Sequence, residues 1–204
     1  MTVTCSGIIL SGGLNSRMKG KNKAYLKIGG SQFIDRVAGI LKECFDEILL
    51  VTKDPSAYTR LQKDIRIIKD ISDIHSPLSG IHAGLSNMEA DFAFCIGCDT
   101  PFLKKEIVEI IVHEIEPGAD IIVPYSGTYY QPLCAIYSKR CAPLIEAQLS
   151  EGDLKVDNLF AAAKIKTIPY ETFQKEDKDL ISFFNVNSSE DLQYAEQLLP
   201  CLKH

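Results

Sequence analysis

Short apolar runs rich in β-branched and aromatic residues alternate along this chain with longer stretches whose apolar residues recur at helical spacing. This alternation is typical of βαβ units, in which a helix connects two parallel strands. It predicts an α/β fold: a Rossmann-like, three-layer α/β/α arrangement around a mainly parallel, mixed sheet. The predicted strands are 7–10, 47–52, 65–69, 91–97, 120–124, 133–137 and 165–168, and the predicted helices are 33–45, 104–114, 140–149, 154–163 and 189–199.

The connection after the first predicted strand is unusually long. Residues 11–32 separate it from the first helix, whereas about two to six residues usually join a strand to a helix in α/β units. The extra length indicates a functional loop. At the other end of the chain, Ser188 or Ser189 suits the N-cap of the last helix and Pro200 suits its stop.

Composition predicts a single domain covering residues 1–204. The chain has 204 residues, of which 46% are hydrophobic, and no repeat, low-complexity tract or Pro/Gly linker divides it. A net charge of −5 argues against nucleic acid and anionic membranes as partners. The sequence shows no leader-like start and no long apolar run, so we expect a cytoplasmic protein. Its seven cysteines are scattered and form no disulfide framework, so we expect reduced thiols.

A glycine-rich loop follows the first predicted strand, with the sequence Leu10-Ser11-Gly12-Gly13. Glycines let the backbone turn sharply and bring its N–H groups against an anion. The cations that follow are Arg17, Lys19, Lys21, Lys23 and Lys27, and such a patch suits the phosphates of a nucleoside triphosphate. The alternative is a tight turn before a solvated lysine run. Neither the P-loop nor the dinucleotide-binding fingerprint is present, which argues against kinases and dehydrogenases.

Asp99 follows the predicted buried strand 91–97. Ligands of open α/β sheets collect beyond the carboxyl ends of the strands, and Mg²⁺ needs only one or two protein carboxylates besides phosphate oxygens and water. The residues Asp99-Thr100-Pro101 equally suit the start of the next helix, so the residues alone leave both readings open. Cys95 and Cys98 lie three apart near a strand and should point to opposite faces; the four histidines show no ligand spacing and are read as surface or second-shell residues.

Four ordered blocks resemble the molybdenum cofactor guanylyltransferases, a family of the sugar-nucleotide-type nucleotidyltransferases. The blocks are Leu10-Ser11-Gly12-Gly13 with Ser16-Arg17-Met18 and Lys23-Ala24, then 76–85, 98–103 and 184–192. Together they span nearly the whole chain. The resemblance implies an enzyme that transfers GMP from GTP to the terminal phosphate of molybdopterin and releases pyrophosphate, with Mg²⁺ as its cofactor.

The resemblance also implies roles for individual residues. Arg17, Lys23 and Asp99 are the expected catalytic residues, and Asp99 the metal ligand. We expect in-line attack by the cofactor phosphate, which is already an anion and needs no general base. The N-terminal part should bind GTP and the C-terminal part the molybdopterin cofactor. The expected GTP-binding residues are Leu10, Ser11, Gly12, Gly13, Lys23, Asp70, Gly80 and Asp99.

Asp70 follows the predicted strand 65–69, and the resemblance places it near the guanine or ribose. A carboxylate can accept from the N1–H and amine of guanine; the alternative is an exposed strand-end aspartate. The resemblance directs Asn185 and Asn187 to the cofactor side, where they share one face if 183–187 is a strand. The alternative is an Asx turn that caps the last helix.

The chain departs from the family pattern at three positions. Asn22 replaces the usual aspartate before Lys23, Lys19 replaces a glycine, and Gln131 replaces a common histidine before Pro132. Two rival functions stay open: a CTP-dependent nucleotidyltransferase acting on a cofactor or on a sugar or polyol phosphate, and a non-catalytic nucleotide-binding module. We expect a monomer or small homo-oligomer that contacts other proteins of molybdenum cofactor biosynthesis.

Overall fold

The computed structural model describes residues 3–12, 23–70, 72 and 74–199. Several predictions fall outside these residues, including those for Gly13 and Arg17 in the site, the departures Lys19 and Asn22, and the helix stop at Pro200.

All seven predicted strands are present, although most of their ends shift by a residue or two. They are β1 (Cys5–Ser11), β4 (Ile48–Thr52), β5 (Arg66–Lys69), β6 (Phe92–Gly97), β7 (Ile121–Tyr125), β8 (Cys134–Ser138) and β9 (Ile165–Pro169). They form one sheet in the order β5-β4-β1-β6-β8-β7-β9. Only β8 runs antiparallel to its neighbours, so the prediction of a mainly parallel, mixed sheet is confirmed. A small hairpin of β2 (Lys27–Ile28) and β3 (Ser31–Gln32) was not predicted.

Helices cover both faces of the sheet. They are α1 (Phe33–Cys44), α2 (Pro77–Asn87), α3 (Lys105–His113), α4 (Cys141–Ser150) and α5 (Ser189–Leu198). The apolar faces of α1 and α3 pack on one side of the sheet, and those of α2 and α4 pack on the other. Because side chains alternate across a strand, Ile9 of β1 faces the first side while Ile8 and Leu10 face the second. The three-layer prediction is thereby confirmed.

The predicted helix 154–163 is wrong: that stretch holds the 3-10 helix Val156–Ala161. Its two buried residues, Val156 and Leu159, lie three positions apart, which matches the three residues per turn of a 3-10 helix. Hydrogen bonds of the same spacing run from the N–H groups of Asn158 and Ala162 to the carbonyls of Lys155 and Leu159. The apolar residues were therefore read correctly, but at the wrong period.

The carboxyl ends of the parallel strands meet at one edge of the sheet, and the chain returns to this edge before its last helix. Val186 is fully buried in a third apolar cluster, and its N–H donates to the carbonyl of Asp99 at 2.9 Å. The 3-10 helix Ile181–Phe183 precedes it, and Ser188 caps α5 in a capping box with Asp191. No helix among the described residues is long and apolar enough to cross a bilayer.

Candidate active site

A cavity of about 300 Å³ opens at the carboxyl edge of β1, β4, β5 and β6. It lies where the strand order reverses around β1, the usual ligand position in open α/β sheets. The glycine-rich loop, the end of β6 and the start of α2 form its walls. Its lining residues are Leu10, Ser11, Gly12, Lys23, Val51, Thr52, Asp70, His75, Ser76, Pro77, Gly80, Gly97, Cys98, Asp99, Leu133 and Asn187.

Three of the predicted site residues meet in this cavity. The ammonium of Lys23 lies 3.2 Å from Oδ2 of Asp99 and donates to Oδ1 of Asn187 at 2.8 Å. The side chains of Lys23 and Asp99 are 18% and 22% exposed. A cation, a carboxylate and an amide from three distant parts of the chain therefore share one partly open wall.

Aromatic packing positions Lys23. Ala24 is fully buried, and the ring of Tyr25 stacks on that of Tyr58 with centroids 5.4 Å apart. The hydroxyl of Tyr58 lies 2.5 Å from Oγ of Ser11. Tyr58 thus contacts Ser11 at the end of β1 and Tyr25, which lies two positions after Lys23. It thereby holds the Ser11 and Lys23 parts of the cavity wall together.

The turn that carries Asp99 depends on a glycine. A Cβ on Gly97 would lie 2.5 Å from Oδ1 of Asp99, closer than two such atoms can approach. The hydroxyl of Thr100 donates to the carbonyl of Gly97 at 3.2 Å and to Oδ1 of Asn185 at 3.0 Å. The helix-start reading of Asp99 and Thr100 is wrong, because α3 begins at Lys105 and both residues belong to the turn at the cavity.

Asp70 lies at the other end of the cavity and is 7% exposed, so the reading of an exposed strand-end aspartate is wrong. Its Oδ1 accepts from the backbone N–H of Ser72 at 3.0 Å. Its Oδ2 accepts from the hydroxyl of Ser79 at 3.0 Å and lies 3.1 Å from the ammonium of Lys53. These contacts tie the segment after β5 to the first turn of α2. The expected role of Asp70 in base recognition stays a prediction.

Asn185 and Asn187 do not share a strand face, because residues 184–187 form an irregular segment. The amide of Asn187 reaches Lys23 in the cavity, whereas that of Asn185 accepts from Thr100 behind it. The capping alternative is also present. The backbone N–H groups of Asn187 and Ser188 donate to Oδ2 of Asp191 at 2.8 and 2.9 Å. Burial opposes the charge of Asp191, but these hydrogen bonds outweigh it and lower the pKa of Asp191.

The cysteines near Asp99 belong to the packing of the sheet. Cys95 and Cys98 lie in apolar clusters on opposite sides of it, as predicted. Burial first, and then the nearby charge of Asp99, raise the pKa of Cys98 to about 12. No group of three or more His, Cys, Asp or Glu among the described residues is arranged to hold a metal. A metal ion at Asp99 would therefore take most of its ligands from substrate and water.

Sequence reasoning missed several contributors to this site. Thr52 ends β4 and Lys53 follows it, so the rule that led to Asp99 could have found both. His75 is exposed, which agrees with its reading as a surface or second-shell residue, and it also lines the cavity, which was not predicted. Tyr58 acts through Ser11, 47 positions away, and no local signal marks it. Ser79 lies in the block 76–85, but its contact with Asp70 was not predicted. The cavity lining includes Leu10, Ser11, Gly12 and Gly80, four of the residues expected to bind GTP.

The chain is similar to known proteins along most of its length. Residues 7–166 match the model of the MobA-like NTP transferase domain. A molybdenum cofactor guanylyltransferase of Desulfosudis oleivorans is 37% identical over 94% of each chain. A probable molybdenum cofactor guanylyltransferase of Pelotomaculum thermopropionicum is also 37% identical, over 93% of this chain and 91% of that protein. The crystal structure of molybdopterin-guanine dinucleotide biosynthesis protein A from Archaeoglobus fulgidus superposes with a TM-score of 0.84 at 27% identity, covering 98% of this chain and 100% of that one.

Proposed function

The chain belongs to the MobA-like NTP transferase family, and we propose that it is a molybdenum cofactor guanylyltransferase, which moves GMP from GTP to the phosphate of molybdopterin and releases pyrophosphate. The observation that carries this proposal is the meeting of Lys23, Asp99 and Asn187 on one wall of the cavity. That wall joins a phosphate-binding cation and a metal-binding carboxylate to the segment expected to hold the second substrate. The similarity to guanylyltransferases over nearly the whole chain supports the choice of nucleotide and acceptor.

Asp99 fits a Mg²⁺ ion. Its carboxylate lines the cavity and stays partly open, and a single carboxylate is enough when phosphate oxygens and water complete the shell. When bound, Mg²⁺ would polarise the α-phosphate and neutralise charge on the departing pyrophosphate. The glycine at position 97 supports this role, because a Cβ there would meet Oδ1 of Asp99 and displace the carboxylate from its place at the cavity.

The protein residues position the reactants and stabilise charge. An oxygen of the molybdopterin phosphate attacks the α-phosphorus of GTP in line, and the bond from the α-phosphorus to the bridging oxygen of pyrophosphate breaks. The nucleophile is an anion, so no proton has to be removed. Lys23 stabilises the negative charge that develops on the phosphates, and Arg17, which lies outside the described residues, is proposed to share this role with the backbone N–H groups from Ser11 to Gly13.

The two substrates are proposed to enter from different sides. GTP occupies the cavity, with its phosphates at Lys23 and Asp99. Asn187 faces the cofactor, and Asn185 holds the turn behind it through Thr100. The remaining elements of the proposal are one domain over residues 1–204, a cytoplasmic monomer or small homo-oligomer, and contacts with other proteins of molybdenum cofactor biosynthesis.

Nucleotide selectivity tests this function directly. The protein is incubated with Mg²⁺, molybdopterin and one of GTP, CTP, ATP or UTP, and pyrophosphate release is measured. Only GTP should support release. Release with CTP would favour the cytidylyltransferase reading, and GTP binding without release would favour a non-catalytic nucleotide-binding module.

A further inference from the structure

The layout of the sheet assigns the two ends of the nucleotide. Asp99 follows β6 and Asp70 follows β5, and these strands are separated by β4 and β1. Neighbouring strands lie about 4.8 Å apart, so the two aspartates are separated by roughly 14 Å across the sheet. This separation is of the order of the length of an extended nucleoside triphosphate. With the triphosphate at Lys23 and Asp99, the base lies at the other end of the cavity, beside Asp70 and strand β5; we call this the β5 end.

Most polar side chains that line the β5 end are already engaged within the protein. Asp70 accepts from Ser72, Ser79 and Lys53. Ser76 accepts from the N–H of Leu78 and donates to the carbonyl of Leu154. Thr52 is buried and accepts from the N–H of Asp54. Reading a base with Asp70 or Ser76 would require one of these bonds to break or be shared, and Thr52 is only 3% exposed.

His75 differs from these residues. It lines the same end of the cavity, its side chain is exposed, and it makes no hydrogen bond or ion pair to the residues that the structure describes. The first turn of α2 begins two residues later at Pro77, and the N-cap contact of Ser76 fixes the adjoining backbone. An imidazole carries at least one N–H donor in either protonation state. His75 is thus a donor on a fixed backbone at the base end.

We propose that His75 donates to O6, on the O6 and N7 edge of the guanine base, and thereby determines the preference for guanine. This inference rests on the proposed function, because it takes the cavity as the GTP site. Guanine presents two acceptors on this edge, whereas adenine replaces O6 with an amine and cytosine presents an amine. A donor aimed at the O6 position is attracted by guanine but faces an amine in adenine and cytosine, whereas N7 is an acceptor in both purines and does not contribute to the preference. Asp70, in this arrangement, holds the segment that carries His75.

Inosine triphosphate separates this edge from the rest of the base, because it keeps O6 and N7 but lacks the amine at C2. Binding of GTP, ITP, ATP and CTP with Mg²⁺ is measured by calorimetry, and pyrophosphate release is measured with molybdopterin present. The wild-type protein should accept ITP within a few-fold of GTP and bind ATP much more weakly. His75→Ala should weaken GTP and ITP about tenfold each, the loss of one hydrogen bond, with ATP unchanged. His75→Gln keeps an N–H donor and should retain most of the preference.

His113→Ala is the matched control, since His113 is an exposed histidine at the end of α3, outside the cavity lining; it should bind all four nucleotides like the wild type. An unchanged ratio of GTP to ATP affinity in His75→Ala would overturn the inference. So would a wild-type protein that rejects ITP as strongly as ATP, because the C2 amine would then carry the selectivity. The proposed function fails separately: in that case the wild type binds GTP but releases no pyrophosphate.

Discussion

The two ends of the cavity hold their aspartates in different ways. Asp99 has a side chain that is 22% exposed and is paired through Oδ2 with Lys23. The side chain of Asp70 is 6% exposed, and its two oxygens accept from a backbone N–H, a hydroxyl and an ammonium. A carboxylate that must exchange ligands with substrate and water cannot have all its positions taken by the protein. A carboxylate that must hold a segment in place can have all its positions taken by protein groups.

This difference separates function from stability. A buried ionic group left without its partner is strongly destabilising, whereas a partly exposed ion pair contributes little to folding. Substitutions at the β6 end of the cavity, which holds Asp99 and Lys23, should therefore lower turnover with little effect on the free energy of unfolding. Substitutions of the buried groups at the β5 end, Asp70 and Ser79, should do the opposite.

Asp99→Asn should have the largest effect on turnover. It removes the charge proposed to hold the metal ion but keeps the shape of the side chain, so pyrophosphate release should fall roughly a thousandfold or more. The midpoint of urea unfolding should stay close to that of the wild type. Asp91→Asn, at the opposite end of β6 and bonded to Thr4, is the control and should be fully active. Near-normal turnover in Asp99→Asn would remove this residue from the metal site.

Lys23→Met should come next, with a loss in kcat/KM for GTP of roughly a hundredfold. The ammonium that is proposed to stabilise the charge on the phosphates would be lost, and Asn187 would lose its contact with Lys23 on the same wall of the cavity. Lys27→Met removes an exposed lysine from β2 and is the control in the same steady-state assay. A loss confined to folding, with normal kinetics of the folded fraction, would make Lys23 a structural residue.

Asp70→Asn should reverse the pattern. The amide can keep some of the hydrogen bonds but leaves Lys53 without its counter-charge in a mostly buried position, which should lower the free energy of unfolding by about 3 kcal/mol. For the folded protein, kcat/KM for GTP should fall less than tenfold. Urea denaturation and steady-state kinetics together decide the matter. Unchanged stability with a large kinetic loss would return Asp70 to direct contact with the base.

The contrast also shows what the sequence could reveal. The strands were predictable because alternating and buried apolar runs are local signals, and the position of Asp99 at the carboxyl edge of the sheet was predictable because it follows one of them. Its metal role came from the family resemblance and stays a prediction. The contacts of Asp70 were not predictable from the sequence, because Lys53 and Ser79 reach it from other elements. The shared face considered for Asn185 and Asn187, which required a strand at 183–187, is absent for the same reason: Asn187 and Asn185 are held by Lys23 and Thr100, which are 164 and 85 positions away. The single-domain assignment and the roles of Gly13 and Arg17 stay predictions.

Ser79→Ala is a substitution at the β5 end with a smaller expected effect than Asp70→Asn. It removes a buried hydroxyl that donates to Asp70 while Lys53 and the N–H of Ser72 remain, so the free energy of unfolding should fall by about 1 kcal/mol. Turnover should not change. Ser150→Ala, which removes a hydroxyl at the end of α4, is the control for the loss of a side-chain hydrogen bond in a helix. A kinetic defect in Ser79→Ala without loss of stability would mean that this hydroxyl contacts the nucleotide.

The smallest expected effect concerns the thiol beside Asp99. Burial, and secondarily the charge of Asp99, raise the pKa of Cys98 to about 12 from an ordinary value of 9.0. The protonated thiol therefore favours the folded state fully below pH 9, and this contribution is lost as the pH rises toward 12. At pH 8, iodoacetamide should modify Cys98 far more slowly in the folded protein than in urea, as followed by peptide mass spectrometry. Asp99→Asn should accelerate this modification only a few-fold, because burial is the main cause of the shift. A rate as fast as in urea would mean that the substitution had opened the turn, and the loss of turnover in that variant could then no longer be assigned to the carboxylate alone.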